Sequence, residues 1–159
     1  MNPAKPTPEE YATLICDRRA DVVTVPFAEV SIGNWKPEIA KCHANVDRWV
    51  ADNPGCQAVR GWISYISFGP AGEQLTAHSV VQKPDGNLID ITPVEPGQPR
   101  GGVFVEHQGD PAEFFDMIQS AGHEMRCPSL DPEADAAALQ AMIDAIGGFA
   151  APDDSEGCL

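Results

Sequence analysis

The sequence has few cations. It carries only 10 lysine and arginine residues against 24 aspartate and glutamate residues, which gives a formal net charge of −14. Nucleic acids and anionic membrane surfaces bind concentrated positive charge, so this composition argues against both as partners. Long hydrophobic runs are absent as well. The longest stretch without a charged residue, 61–72, is too short to cross a bilayer.

Paired cysteine motifs are also missing. Five cysteines are an odd number and none forms a Cys-x-x-Cys pair, so a disulfide framework is not expected and free thiols in a reducing compartment fit better. The first residues lack the apolar core of a signal peptide. Together these features predict a cytoplasmic protein. The cysteines are Cys16, Cys42, Cys56, Cys127 and Cys158.

The 159 residues, of which 43% are hydrophobic, suit one domain with its own core. A capping box at Thr7–Glu10 predicts a helix to about Arg19, and Pro37 opens a second helix to about Val50. Further strands and helices are predicted over 57–68, 74–82, 87–92, 103–107, 111–121 and 132–147. This order predicts an α+β domain over 1–150, with an antiparallel sheet packed on the second helix. Residues 151–159 read as an acidic, disordered tail.

Three residues could carry chemistry. Cys42 lies near the predicted start of the second helix, where the helix dipole and free N–H groups stabilise a thiolate. His78 lies in a predicted strand and Asp90 in the next one. A nucleophile, a base and a group that orients the base, in this order, would form a Cys–His–Asp triad.

The turn between these two strands gives a geometric test. The sequence from Lys83 to Asn87 has proline and aspartate suited to a type I turn, followed by glycine for a left-handed position. If Lys83 faces Asn87, then Val80 faces Asp90, and His78 lies diagonal to Asp90 on the same sheet face. An imidazole–carboxylate hydrogen bond is then within reach. A turn one residue shorter or longer would place them on opposite faces.

These residues resemble the core of the transglutaminase-like, papain-related fold. The parts that carry the resemblance, between Trp35 and Pro93, are Cys42-His43-Ala44-Asn45, Ala77-His78-Ser79-Val80 and Asp90-Ile91-Thr92-Pro93. The Cys-x-x-Asn pattern is similar to that of small bacterial proteins of this kind. The resemblance implies a thiol-dependent hydrolase or acyltransferase acting on an amide or ester, with Cys42, His78 and Asp90 as catalytic residues and no cofactor.

Supporting roles are predicted for three further residues. Asn45, one helical turn after Cys42, is expected to brace the site, and Asn34 or Trp35 could supply an oxyanion donor. His43 is expected to point away from Cys42, on the surface. The resemblance leaves the substrate open, and a non-catalytic binding or regulatory module that keeps the fold is the alternative.

A metal site is a further possibility. Potential ligands are spread along the chain, and His123 and Cys127 have the spacing of two ligands on one helix, although Pro128 follows at once. The predicted function needs no metal, because a catalytic thiolate requires a free neighbouring base. The possible ligands are Cys42, His78, Asp90, His107, His123 and Cys127.

Overall fold

The computed structural model describes residues 4–65, 73–129 and 131–147. Within these ranges the fold is α+β, as predicted. Its helices are α1 (Pro8–Asp17), α2 (Cys42–Asp52), α3 (Pro111–Ala121) and α4 (Pro132–Gly147), with a short 3-10 turn at Arg19–Asp21. Its strands are β1 (Val23–Val25), β2 (Gln57–Ser64), β3 (Glu73–Gln82), β4 (Leu88–Ile89), β5 (Gly102–Glu106) and β6 (Glu124–Cys127). The predicted tail, 151–159, lies outside the described residues.

The six strands form one antiparallel sheet in the order β1-β5-β2-β3-β4, with β6 also paired to β3. Beyond β1 the chain continues to Phe27, which forms a bridge with Asp90 just after β4. This bridge joins the two edges of the sheet, so the sheet curls into a small barrel. Alternation along the strands directs one set of side chains inward. The inner set is Val25, Val59, Ile63, Val80 and Phe104.

Helices α1 to α3 cover the outer face of the barrel, whereas α4 is exposed along nearly its whole length. α1 and α3 pack on Trp62, Ala77 and Val105, while Val46 of α2 packs on Val81 and Ile91. These apolar contacts hold α2 against the sheet. They thereby fix the position of Cys42, the first residue of this helix. No helix in the described ranges is long and apolar enough to cross a membrane.

The second helix begins later than predicted. α2 starts at Cys42 rather than near Pro37. The reason is Ala40, whose φ of 60° is left-handed and incompatible with a continuous helix. Cys42 therefore becomes the first residue of the helix.

Two further predictions, one of a strand and one of a helix, differ from the structure. β4 covers only two of the residues predicted over 87–92, because Asp90 leaves β3 to pair with Phe27. The stretch ending at Cys127, whose spacing suited two ligands on a helix, forms strand β6 instead. It is paired to β3 from Glu73↔Cys127 to Thr76↔Glu124.

The expectation that no disulfide forms was wrong. Cys16 of α1 and Cys127 of β6 are bonded, with their Cα atoms 5.4 Å apart. They lie 111 residues apart in sequence, so no local motif marks them. Within the described residues Cys42 and Cys56 are free thiols, both half-buried.

Gly61 of β2 is fixed by close packing. It pairs with His78 on one side and with Glu106 on the other. A Cβ atom built here would overlap the carbonyl oxygen of Val105 and lie 2.5 Å from the ring of Phe104. Phe104 is fully buried inside the barrel and has no room to move.

Gly61→Ala is therefore expected to lower the free energy of unfolding by about 2–3 kcal/mol, as overpacked cores do. Urea unfolding followed by tryptophan fluorescence measures this. An unchanged unfolding midpoint would show that β5 can shift away from β2.

Candidate active site

Cys42 occupies the N-terminal end of α2. The preceding residue, Lys41, makes no side-chain capping hydrogen bond. The backbone N–H groups of the first turn are thus not occupied by a cap, and with the helix dipole they favour negative charge on the thiol. The thiol is half-buried and lines a cavity.

The turn after β3 has the predicted form. The Lys83 N–H donates to the Asn87 carbonyl (2.9 Å) and the Gly86 N–H to the Lys83 carbonyl (2.8 Å). Gly86 has the expected left-handed φ of 86°. The ladder then pairs Gln82 with Leu88 and Val81 with Ile89, which is the register that the turn predicts. The pairing of β3 with β4 ends at Val81 and does not continue to His78.

His78 and Asp90 meet as that register requires. Nε2 of His78 lies 2.9 Å from Oδ1 of Asp90, and both residues are buried, at 4% and 0% exposure. Since a carboxylate only accepts hydrogen bonds, Nε2 carries the proton of this bond. Nδ1 is then the imidazole nitrogen left for the thiol.

The backbone around Asp90 fixes its carboxylate. The Asp90 N–H donates to the carbonyl of Pro26 (2.9 Å), and its carbonyl accepts from the N–H of Ala28 (2.8 Å). Oδ1 also accepts from the N–H of Thr92 at 3.0 Å. Oδ2 is buried and has no hydrogen-bond partner among the described residues. The carboxylate therefore concentrates its contacts on the oxygen that holds His78.

The thiol and the imidazole shift each other's pKa. Burial raises the pKa of Cys42, but hydrogen bonding to His43 and His78 outweighs burial and lowers it from 9.0 to about 6. Burial lowers the pKa of His78, but hydrogen bonds to Asp90 and Cys42 outweigh it and raise the pKa from 6.5 to about 9. Between these values the pair is a thiolate and an imidazolium, which titrate together.

Asn45 links two segments near Cys42. Its Oδ1 accepts from the N–H of Glu38 (3.0 Å) and its Nδ2 donates to the Glu38 carbonyl (2.8 Å). Nδ2 also lies 3.2 Å from Oγ1 of Thr92. Asn45 thus ties the turn before α2 to the segment that carries Asp90, and these contacts use both of its polar atoms.

Asn34 and Trp35 do not line the cavity at Cys42. Asn34 is exposed, and the backbone of Trp35 pairs with Ile32 within the same tight turn. Neither residue is therefore placed to donate to an oxyanion at Cys42.

His43 is not the surface residue that was expected. It is half-buried, its Nδ1 is hydrogen-bonded to the Ser79 hydroxyl, and its ring makes edge-to-face contacts with Phe114 and Phe115. The helical position next to Cys42 does face partly outward, but the two phenylalanines of α3 cover it. In the sequence, the only feature that marks His43 is its position inside the Cys-x-x-Asn pattern.

Tyr65, which follows β2, was not predicted as a site residue. Its hydroxyl lies 3.5 Å from both ring nitrogens of His78, and its ring packs edge-on against the imidazole. Burial, followed by the negative charges of Asp90 and Cys42, raises the pKa of its phenol, which keeps it a hydrogen-bond donor. The register of β2 against β3 would have predicted that Tyr65 lies near His78. The sequence between these strands has no turn pattern of fixed length, so this register could not be predicted.

These residues surround a cavity of about 380 Å³. It lies beside Thr76, Ala77 and His78 of β3, next to the start of α2. A ligand in this cavity would lie against the thiol. The lining residues are Ile39, Ala40, Cys42, His43, Tyr65, Thr76, Ala77, His78, Thr92, Pro93, Val94, Glu95 and His123.

The metal alternative loses a ligand, because Cys127 is bonded to Cys16. The described residues contain no group of three or more histidine, cysteine, aspartate or glutamate side chains arranged to hold a metal ion. His107 is bound elsewhere: its Nδ1 contacts the Tyr11 hydroxyl at 2.8 Å. Its hydrogen-bonding partners belong to the α1–α3 side of the sheet.

Comparison with known proteins gives no relative: no family model, no curated protein and no solved structure matches the chain.

Proposed function

We propose that this protein is a thiol-dependent hydrolase or acyltransferase that acts on an amide or ester through Cys42, His78 and Asp90. The observation that carries this proposal is the buried hydrogen bond between His78 and Asp90, beside a thiol at the first residue of a helix. A papain-like or transglutaminase-like core is part of the proposal. The curled antiparallel sheet with a cysteine-bearing helix on its outer face supports it.

The chemistry follows from the charges of the pair. The Cys42 thiolate attacks the substrate carbonyl, and the carbon–sulfur bond forms as an oxyanion develops. When this intermediate collapses, the carbon–nitrogen or carbon–oxygen bond breaks and His78 gives its proton to the leaving group. Neutral His78 then takes a proton from water or an acceptor molecule, which attacks the thioester and frees Cys42. Asp90 holds the His78 tautomer throughout.

The proposal is tested with p-nitrophenyl acetate, an activated ester. The wild type should release p-nitrophenolate and carry an acetyl group on Cys42, read by peptide mass spectrometry. Cys42→Ala should slow this release by at least about 10³-fold, as loss of a catalytic nucleophile does. Cys56→Ala removes the other described free thiol and should react like the wild type.

A wild type that is not acylated, or a Cys42→Ala variant that releases p-nitrophenolate equally fast, would contradict the proposal. Either result would favour a binding or regulatory module that keeps the fold without turnover.

The cytoplasmic location stays a prediction. The bond between Cys16 and Cys127 weighs against it, because disulfides persist mainly in oxidising compartments.

A further inference from the structure

His43 and Ser79 belong to a polar chain on the outer face of the sheet. The Ser79 hydroxyl, fully buried, accepts a hydrogen bond from Nη1 of Arg60 at 2.7 Å. Arg60 is itself buried and forms an ion pair with Asp47 of α2. Its guanidinium lies 5.2 Å from the ring centre of Phe115. Ser79 is therefore held in one orientation.

The contact between Arg60 and Ser79 favours one tautomer of His43. An arginine can only donate, so Ser79 uses one lone pair on Arg60 and its own proton stays available. Nδ1 of His43 lies within reach of that proton. We infer that Ser79 donates to Nδ1, which leaves the proton of the neutral imidazole at Nε2. His43 then presents an N–H donor from a ring that lines the cavity at Cys42.

We propose that His43 is a second catalytic imidazole, whose Nε2–H donates a hydrogen bond to the oxyanion that forms when the Cys42 thiolate attacks a carbonyl. This inference rests on the proposed function. Ser79 and Arg60 are positioning residues that fix the donor in advance, so no reorganisation is needed as charge moves from sulfur to oxygen. The influence of His43 also helps to lower the pKa of Cys42, which is consistent with a donor at this place.

The experiment compares two reactions of Cys42. Alkylation by iodoacetamide forms a carbon–sulfur bond and expels iodide, without an oxyanion. Acylation by p-nitrophenyl acetate forms a carbon–sulfur bond, breaks the ester carbon–oxygen bond, and passes through an oxyanion. The ratio of acylation rate to alkylation rate therefore isolates the donor from the nucleophilicity of the thiolate.

His43→Leu should lower this ratio about 10²–10³-fold, the usual cost of losing an oxyanion donor. His43→Gln keeps an N–H donor of similar reach and should recover at least about a tenth of the wild-type ratio. Cys56→Ala serves as the control that leaves the ratio unchanged. Thermal melting of each variant checks that it is folded.

Two outcomes would overturn the inference and are distinguishable from each other. Equal losses of both rates in His43→Leu would show that His43 acts only on the thiolate, while the proposed function stands. A wild type that is alkylated but never acylated would remove the proposed function and this inference together.

A second measurement reads the tautomer of His43 directly and does not depend on the His43 variants. The ¹⁵N shifts of the His43 ring in the wild type should report a neutral imidazole protonated at Nε2, and Ser79→Ala should allow the other tautomer. A ring protonated at Nδ1 in the wild type would overturn the inference.

Discussion

Replacing His78 with alanine is expected to move the pH midpoint for alkylation of Cys42 upward by about 1–3 units, the range set by loss of an adjacent opposite charge. In the wild type the midpoint should lie near pH 6, which is the pKa of Cys42. Burial raises this pKa, but hydrogen bonding to the two histidines outweighs burial and lowers it. Without the imidazolium the thiolate is favoured less, so the thiol keeps its proton to higher pH. Timed iodoacetamide labelling across pH 5–10, read by peptide mass spectrometry, measures the midpoint.

Cys56 provides an internal reference in the same samples, because it is also a free, half-buried thiol. It packs against the cluster of Val46, Val81 and Ile91, away from His78. Its labelling curve should be the same in both proteins. A midpoint for Cys42 that does not move on loss of His78 would show that the two side chains do not form the ion pair, and the triad would lose its base.

Removal of the disulfide is expected to produce the largest loss of stability. The bond closes a loop of 111 residues, for which the chain-entropy relation gives about 4–5 kcal/mol. Cys16→Ala combined with Cys127→Ala should therefore lower the melting temperature by about 10–15 °C, given about 2–4 °C per kcal/mol at this size. Calorimetry under non-reducing conditions measures the shift.

Cys56→Ala, which removes a thiol but no covalent link, should change the melting temperature by far less. Labelling of the unfolded, non-reduced protein supplies an independent check, since Cys16 and Cys127 should not react. Their full alkylation would mean that the bond is not formed, and an unchanged melting temperature in the double variant would mean that it contributes little.

Local chemistry made the centre of the site predictable. The turn from Lys83 to Asn87 is encoded by a few adjacent residues, and its loop length alone fixes the register that brings His78 to Asp90. The capping box at Thr7 likewise predicted α1, where the Thr7 side chain and Glu10 exchange hydrogen bonds with each other's backbone. In these cases the interacting residues are neighbours in sequence.

Long-range contacts account for what was not predicted. The disulfide, the bridge from Phe27 to Asp90 and the burial of His43 by α3 each join segments that are distant in sequence, and no local pattern marks them. The start of α2 at Cys42 depends on one left-handed residue, Ala40. An alanine in the sequence does not predict that conformation.

The bridge between Phe27 and Asp90 makes catalytic competence depend on completion of the barrel. The two backbone hydrogen bonds that orient the carboxylate, to Pro26 and from Ala28, are the same bonds that join the edges of the sheet. A chain in which the segment after β1 has come away could keep its helices, β2, β3 and the Cys42 thiol in place. Its His78 would nevertheless lose a fixed partner, so local opening of this join would disable the site well before the core unfolds.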